Sequence, residues 1–71
     1  MRIKIELEKS QNLKIQLVNM LGQVTWMQEE YGIGGENKFS IDGSQWQAGI
    51  YALRLITESG EFQQKILVPN L

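Results

Sequence analysis

The chain has no cysteine, no histidine and only one proline in 71 residues. The lack of cysteine excludes a disulfide framework and thiol chemistry. The lack of histidine removes the side chain on which most zinc sites, serine and cysteine triads and proton shuttles depend. The four serines therefore have no imidazole to activate them. We predict that the chain is not an enzyme and uses no metal and no cofactor.

Long apolar runs and an excess of one charge are also missing. Seven basic and eight acidic residues give a net charge of −1, so no basic stripe is present to hold nucleic acid or an anionic membrane. No run approaches the ~20 apolar residues that span a bilayer, so we expect no membrane insertion. A chain of this length supports one small core, and we predict a single domain over 1–71.

Apolar and polar residues alternate along most of the chain, which is the period of a strand with one buried face. No segment has a convincing helical period. The short, regularly spaced segments predict an all-β fold, a small antiparallel immunoglobulin-like β-sandwich of six or seven strands, with a small barrel as the alternative. The predicted strands are Arg2–Lys9, Leu13–Leu17, Gln23–Glu30, Lys38–Asp42, Gly49–Thr57 and Phe62–Val68.

The connections between these strands carry turn chemistry. Ser10-Gln11-Asn12 predicts a hairpin that pairs the first two strands. Asn19–Gln23 predicts a tight turn in which Gly22 supplies a positive φ and Met20 or Leu21 closes the end of the core. Tyr31–Asn37 contains three glycines and is predicted to be a loop.

The faces of two strands are also predicted. We expect Val24 and Trp26 to share the buried face of the third strand. The segment from Gly49 is apolar on both faces, which predicts a central strand. Trp46 follows a turn at Asp42-Gly43-Ser44 and is expected to pack over the edge of the core.

Three features resemble functional motifs, yet structural roles explain them better. Glu29 and Glu30 are adjacent in a strand, so their carboxylates diverge and cannot act as an acid and base pair. Gly32-x-Gly34-Gly35 has neither the helix nor the lysine of a phosphate-binding loop. Asp42-Gly43-Ser44 lacks the further acidic positions of a calcium loop.

Aromatic residues offer one alternative function. Trp46 and Tyr31, both predicted in loops, would be platforms for stacking on sugar rings. This reading makes the chain an accessory β-sandwich module that binds carbohydrate or another surface. Packing at the rim of the core is the simpler explanation for both side chains.

Several short motifs occur in a specific order along nearly the whole chain. They are Asn12–Leu17, Leu21-Gly22-Gln23, Asn37-x-Phe39-x-Ile41-Asp42, Gly49-Ile50-Tyr51-x-Leu53-Arg54-Leu55, Gly60 and Lys65–Val68. This order resembles the C-terminal sorting domain of the type IX secretion system of Bacteroidetes, most of all its type A version.

The resemblance implies a signal domain at the C-terminus of a larger exported protein. Its partners would be the type IX secretion machinery, a sortase-like protease and a covalently preceding cargo domain. The domain would be in the periplasm in transit and then secreted or at the cell surface, where it is cleaved or used for attachment. By position, the residues expected to serve recognition are Gly22, Gly49, Tyr51, Lys65, Ile66, Leu67 and Val68.

Further predictions concern the two ends of the chain and the edges of its sheets. The family often has an Asn-Pro pair ahead of its first strand, and Met1-Arg2 shows no such pair. We therefore expect either a fragment of a larger protein to which Met1 was added, or an upstream segment that has been lost or altered. The tail Pro69-Asn70-Leu71 agrees with the end of a parent protein. Exposed sheet edges predict that two copies can pair into a homodimer.

Overall fold

Two antiparallel sheets of unequal width face each other in the computed structural model, which describes residues 1–69. The two-stranded sheet has the order β1-β4, and the four-stranded sheet has the order β3-β2-β5-β6. The predicted all-β sandwich of six strands is confirmed. No helix within 1–69 is long and apolar enough to cross a membrane. The strands are β1 (Arg2–Leu7), β2 (Gln11–Val18), β3 (Val24–Gly32), β4 (Gly35–Ser40), β5 (Gly49–Thr57) and β6 (Gly60–Val68).

The first strand pairs with β4 and not with β2, so the predicted first hairpin is wrong. Arg2 lies opposite Ser40, and Leu7 lies opposite Gly35. The residues between β1 and β2 cross from one sheet to the other. Because β1 and β2 each bury one apolar face, opposite sheets let these two faces pack on each other across the core.

The core lies between β2 and the small sheet. Leu13, Ile15 and Leu17 of β2 are each no more than 2% exposed, and Ile41 is buried with them. Leu53 and Leu55 of β5 pack against this cluster. The predicted central position of β5 is confirmed, since it is paired with β2 on one side and with β6 on the other.

The glycine-rich segment is not a loop, as the sequence predicted, but the meeting point of two strands. β3 continues to Gly32 and β4 begins at Gly35. Gly32 is buried, and a Cβ there would collide with the side chain of Leu7. Gly35 has a φ of 104°. The glycines therefore provide close approach and a positive φ within the sandwich.

The predicted face of β3 is correct for Trp26 and wrong for Val24. Trp26 packs against the core, whereas Val24 is 48% exposed. The register with β2 shifts between Leu17, which pairs with Trp26, and Val18, which pairs with Val24. This bulge takes Val24 away from the face of Trp26.

Candidate recognition surface

The residues that the resemblance singled out lie together at one end of the large sheet. Gly49 and Tyr51 at the start of β5 pair directly with Val68 and Ile66 at the end of β6. Val18, the last residue of β2, pairs with Ala52, so the turn after β2 that holds Gly22 reaches the same end. We call residues 19–23, 49–52 and 65–68 the terminal-strand end.

Gly22 closes a turn that is organised by Asn19. The Oδ1 of Asn19 accepts hydrogen bonds from the N–H groups of Leu21 at 3.0 Å and Gln23 at 2.9 Å. The N–H of Gly22 donates to the carbonyl of Asn19 at 3.0 Å, and Gly22 has a φ of 84°. The predicted positive φ is confirmed, and the role of Gly22 is to shape this turn.

Gly22→Ala is expected to lower the free energy of unfolding by about 1–2 kcal/mol, because an L-residue is strained in the left-handed region. No side chain obstructs a Cβ at this position, so the backbone alone carries the effect. Gly34→Ala is the matched control, since its Cβ would make only ordinary contacts and its φ is not positive. Thermal unfolding followed by circular dichroism measures both variants. Equal melting temperatures for the two would contradict the assignment.

Gly49 and Tyr51 fix the entry into β5. The hydroxyl of Tyr51 donates to the carbonyl of Gln47 at 2.8 Å. Gly49 has a φ of 156°, and a Cβ there would lie 3.5 Å from the Tyr51 ring. These contacts resemble the tyrosine corner of immunoglobulin-like sandwiches, in which a tyrosine hydroxyl binds the backbone a few residues upstream. Both residues therefore act through the shape of this end.

Trp46 packs over the core edge, as predicted. Its ring meets Trp26 edge-on, with centroids 5.1 Å apart and an interplanar angle of 68°. A Cβ on Gly43 would lie 3.0 Å from the Trp46 ring, so a larger residue there would have to displace the ring by a few tenths of an ångström. The N–H of Ser44 donates to Oδ1 of Asp42 at 3.0 Å, and this bond lowers the pKa of Asp42 below its ordinary value.

Tyr31 is not a loop residue but belongs to β3, where it pairs with Asn12 at the start of β2. It is 63% exposed. The terminal-strand end and Trp46 lie at the opposite end of β2, so Tyr31 and Trp46 do not form one aromatic surface. A sugar platform built from these two rings is therefore absent.

Exposed apolar side chains concentrate at the terminal-strand end. Leu67 is 71% exposed and lies opposite Ile50, which is 43% exposed. Met20 and Leu21 at the tip of the turn are 75% and 83% exposed, so the expectation that one of them closes the core is wrong. Single exposed apolar residues are common, but a group of them marks a contact surface.

β6, the terminal strand, has one edge that pairs with no other described strand. Lys65 is exposed, whereas Ile66 and Val68 are half-buried and line a hollow together with Trp46. Within 1–69, β6 pairs only with β5, and the ion pairs are Lys4–Glu36, Lys9–Glu58 and Lys38–Glu36. Lys65 is thus a free charge beside exposed apolar groups.

The acidic pair in β3 does not form a site. Glu29 is exposed, whereas Glu30 is half-buried and accepts a hydrogen bond from Nε2 of Gln28 at 3.3 Å. Among the described residues, no three metal-ligating side chains are grouped. The divergence predicted for adjacent strand residues accounts for this arrangement.

Comparison with protein families identifies the chain. The model of the secretion system C-terminal sorting domain matches residues 1–69. The chain therefore belongs to the family of type IX secretion C-terminal sorting domains, which is associated with Bacteroidetes. A sorting domain of this kind is a signal for type IX secretion, and it marks a protein that is secreted or displayed at the cell surface. Searches of curated proteins and of solved structures found no match.

The sequence predicted which residues serve recognition but not which side chains are exposed around them. It expected Met20 or Leu21 to close the core, whereas both are exposed, and it did not predict the exposure of Ile50 opposite Leu67. Two consecutive apolar residues inside a predicted turn, Met20-Leu21, were the available signal, because a tight turn seldom buries both.

Proposed function

We propose that the domain carries a preceding cargo protein from the periplasm through the outer membrane as a type IX signal, and that its terminal-strand end contacts the secretion machinery. A sortase-like protease then removes the domain or uses it for surface attachment. The single observation that supports this site is the exposed apolar pair formed by Leu67, beside Lys65 on β6, and Ile50, which lies opposite Leu67 on β5. The family match supports the process.

The residues expected to serve recognition divide into three roles in this proposal. Gly22, Gly49 and Tyr51 shape the turn and the entry into β5. Ile66 and Val68 anchor the terminal strand on the core side, because both are half-buried. Lys65 and Leu67 are exposed and make the contact with the machinery. Within residues 1–69, Tyr31 and Trp46 lie at different ends of the large sheet, so these two rings do not support the predicted carbohydrate module.

Leu67→Asn is expected to reduce export of a reporter that carries a periplasmic signal peptide and residues 1–71 in a type IX-competent cell. Polar replacement of one exposed anchor removes apolar contact worth about 1–2 kcal/mol, which corresponds to roughly a tenfold loss of affinity. Export is measured as the extracellular fraction of the reporter. Ile33→Asn is the matched control, because Ile33 is 58% exposed and lies at the other end of the sandwich.

Removal of residues 65–71 should leave the reporter in the periplasm. This deletion also takes away half of the edge strand, so the point variant is the sharper test. Circular dichroism must show that Leu67→Asn remains folded. Equal export of Leu67→Asn and Ile33→Asn would contradict the proposed contact surface, and export of the truncated reporter would contradict the proposal that the terminal strand is needed for sorting.

A further inference from the structure

A groove lies between β1 and the β5-β6 side of the large sheet. The small sheet lies towards the β3 side of the large one, where Nε2 of Gln28 approaches the carbonyl of Ser40 at 3.5 Å. The small sheet has two strands and the large one four, and the first half of the core-facing side of β6 is left uncovered within 1–69, where Phe62 and Gln64 are exposed. The groove has a volume of about 200 Å³, and Phe62 on its floor is 56% exposed. Its other apolar lining residues are Ile3, Ile5, Ile15, Leu53 and Leu55.

The free edge of β1 presents hydrogen-bonding groups to this groove. The N-terminal amino group of Met1 donates to the carbonyl of Ile41 at 2.9 Å, and the N–H of Ile41 donates to the carbonyl of Met1 at 2.6 Å. Because such pairs alternate along an antiparallel ladder, the odd-numbered residues of β1 bond to β4. The backbone N–H and C=O groups of Arg2, Lys4 and Glu6 therefore point to the open side.

The charges along β1 are poorly matched by β4. Lys4 lies opposite Lys38, and Glu6 lies opposite Glu36. Glu36 is contacted by both lysines, at 3.4 and 3.9 Å, whereas Glu6 has no ion pair among the described residues. Like charges directly opposite each other destabilise a strand pair. A strand on the free side can correct this with a basic residue opposite Glu6 and an acidic residue opposite Lys4.

The groove admits a single strand and not the same edge of a second copy. Neighbouring strands lie about 4.8 Å apart. A second β1 at that distance would bring its own four-stranded sheet into the space that β6 occupies. The occupant must therefore be an extended segment without a second layer beneath it.

We propose that this groove binds an extended segment of a partner protein, which adds to β1 as an antiparallel third strand of the small sheet. Strand addition of this kind gives affinity through the main chain and specificity through alternate side chains. From its N-terminus, the bound segment reads basic, apolar, acidic, apolar, acidic, facing Glu6 through Arg2 in turn. The apolar residues cover Phe62. This interaction is separate from the terminal-strand end and does not depend on it.

A pair of capped peptides of equal composition tests the proposal. Thr-Lys-Val-Glu-Val-Glu-Thr carries the matching order, and Thr-Glu-Val-Glu-Val-Lys-Thr reverses it. Titration of the full chain followed by amide chemical shifts should show the matching peptide bound with a dissociation constant below about 1 mM, with shifts at Lys4 and Glu6. The reversed peptide should bind roughly fivefold more weakly, because it opposes like charges at two positions. Absence of binding by either peptide, equal binding, or tighter binding of the reversed peptide would overturn the proposal.

Two proline variants distinguish the loss of a hydrogen-bonding group at the free edge of β1 from a general loss of stability. Lys4→Pro removes an N–H that points into the groove, and it should weaken the matching peptide about tenfold. Lys38→Pro is the control, because the N–H of Lys38 points to the other edge of the small sheet. Each of the two variants also loses one lysine contact to Glu36, so this loss is matched. Equal weakening by both variants would overturn the proposal. So would a concentration-dependent dimer in light scattering that Lys4→Pro converts to a monomer, because a second copy would then occupy the edge.

Discussion

Ile15→Ala is expected to lower the free energy of unfolding by about 3–4 kcal/mol, because it opens a cavity in the centre of the core. Ile15 is 1% exposed and lies on a central strand. A domain of this size has only about 5 kcal/mol of stability, so the melting temperature should fall by roughly 15–25 °C. Urea and thermal unfolding followed by circular dichroism measure the change.

Ile33→Ala removes the same atoms from a site that is 58% exposed and is expected to cost less than about 0.5 kcal/mol. The difference in stability between Ile15→Ala and Ile33→Ala therefore reports the effect of burial, because the chemical change is the same in both. A similar loss of stability in the two variants would mean that the packing of β2 against the small sheet is not the main source of stability.

Ile15→Ala also tests whether the secretion machinery recognises the folded domain or only its last residues as an extended sequence. Ile15 is buried away from the exposed side chains of the terminal-strand end, and Ile15→Ala leaves the sequence of residues 65–71 intact. At a temperature where this variant is mostly unfolded, export should fail if the machinery contacts a surface built from three segments. Undiminished export would show that the machinery recognises the last residues as an extended sequence.

Periodicity was sufficient to predict the strands but not which of them pair. β5 has the predicted bounds, because its apolar residues and the flanking glycines at 49 and 60 define both ends. Alternation in β1 shows that one face is buried and contains no information about the partner strand. The short segment after β1 has the chemistry of a hairpin turn, but the core required it to cross between the sheets.

The recognition residues were predicted by position in a family pattern, and their spatial grouping depends on pairing that the pattern does not contain. Gly49 and Val68 are distant in sequence and directly opposite in the sheet. The groove beside β1 was not predicted at all. It follows from the unequal width of the two sheets, which is a property of the whole topology.

The glycine-rich segment was misread because glycine has two uses that look alike in a sequence. A flexible loop needs its conformational freedom, whereas a crowded strand needs its small size. Gly32 serves the second purpose against Leu7. The neighbouring Asn37 was the available sign of order, since a polar side chain that bonds several backbone groups can hold a very short connection.

Asn37→Ala is expected to lower the free energy of unfolding by about 2–3 kcal/mol, because it leaves buried backbone groups without partners. Asn37 is 8% exposed. Its Oδ1 accepts the N–H of Ile33 at 2.8 Å, and its Nδ2 donates to the carbonyls of Ile33 at 2.9 Å, Gly35 at 3.1 Å and Ile5 at 3.4 Å. Chemical denaturation in urea measures the loss.

Asn12→Ala is the matched control and should cost less than about 0.5 kcal/mol, because Asn12 is exposed on β2. Asn37→Asp adds a test with a defined sign. Three carbonyl oxygens around a carboxylate favour its protonated form and raise its pKa in the folded state. The stability of this variant should therefore be greatest at acid pH and fall as the pH rises through that pKa. If Asn37→Ala is as mild as Asn12→Ala, or if Asn37→Asp loses stability on acidification, the side chain of Asn37 does not hold β3 and β4 together.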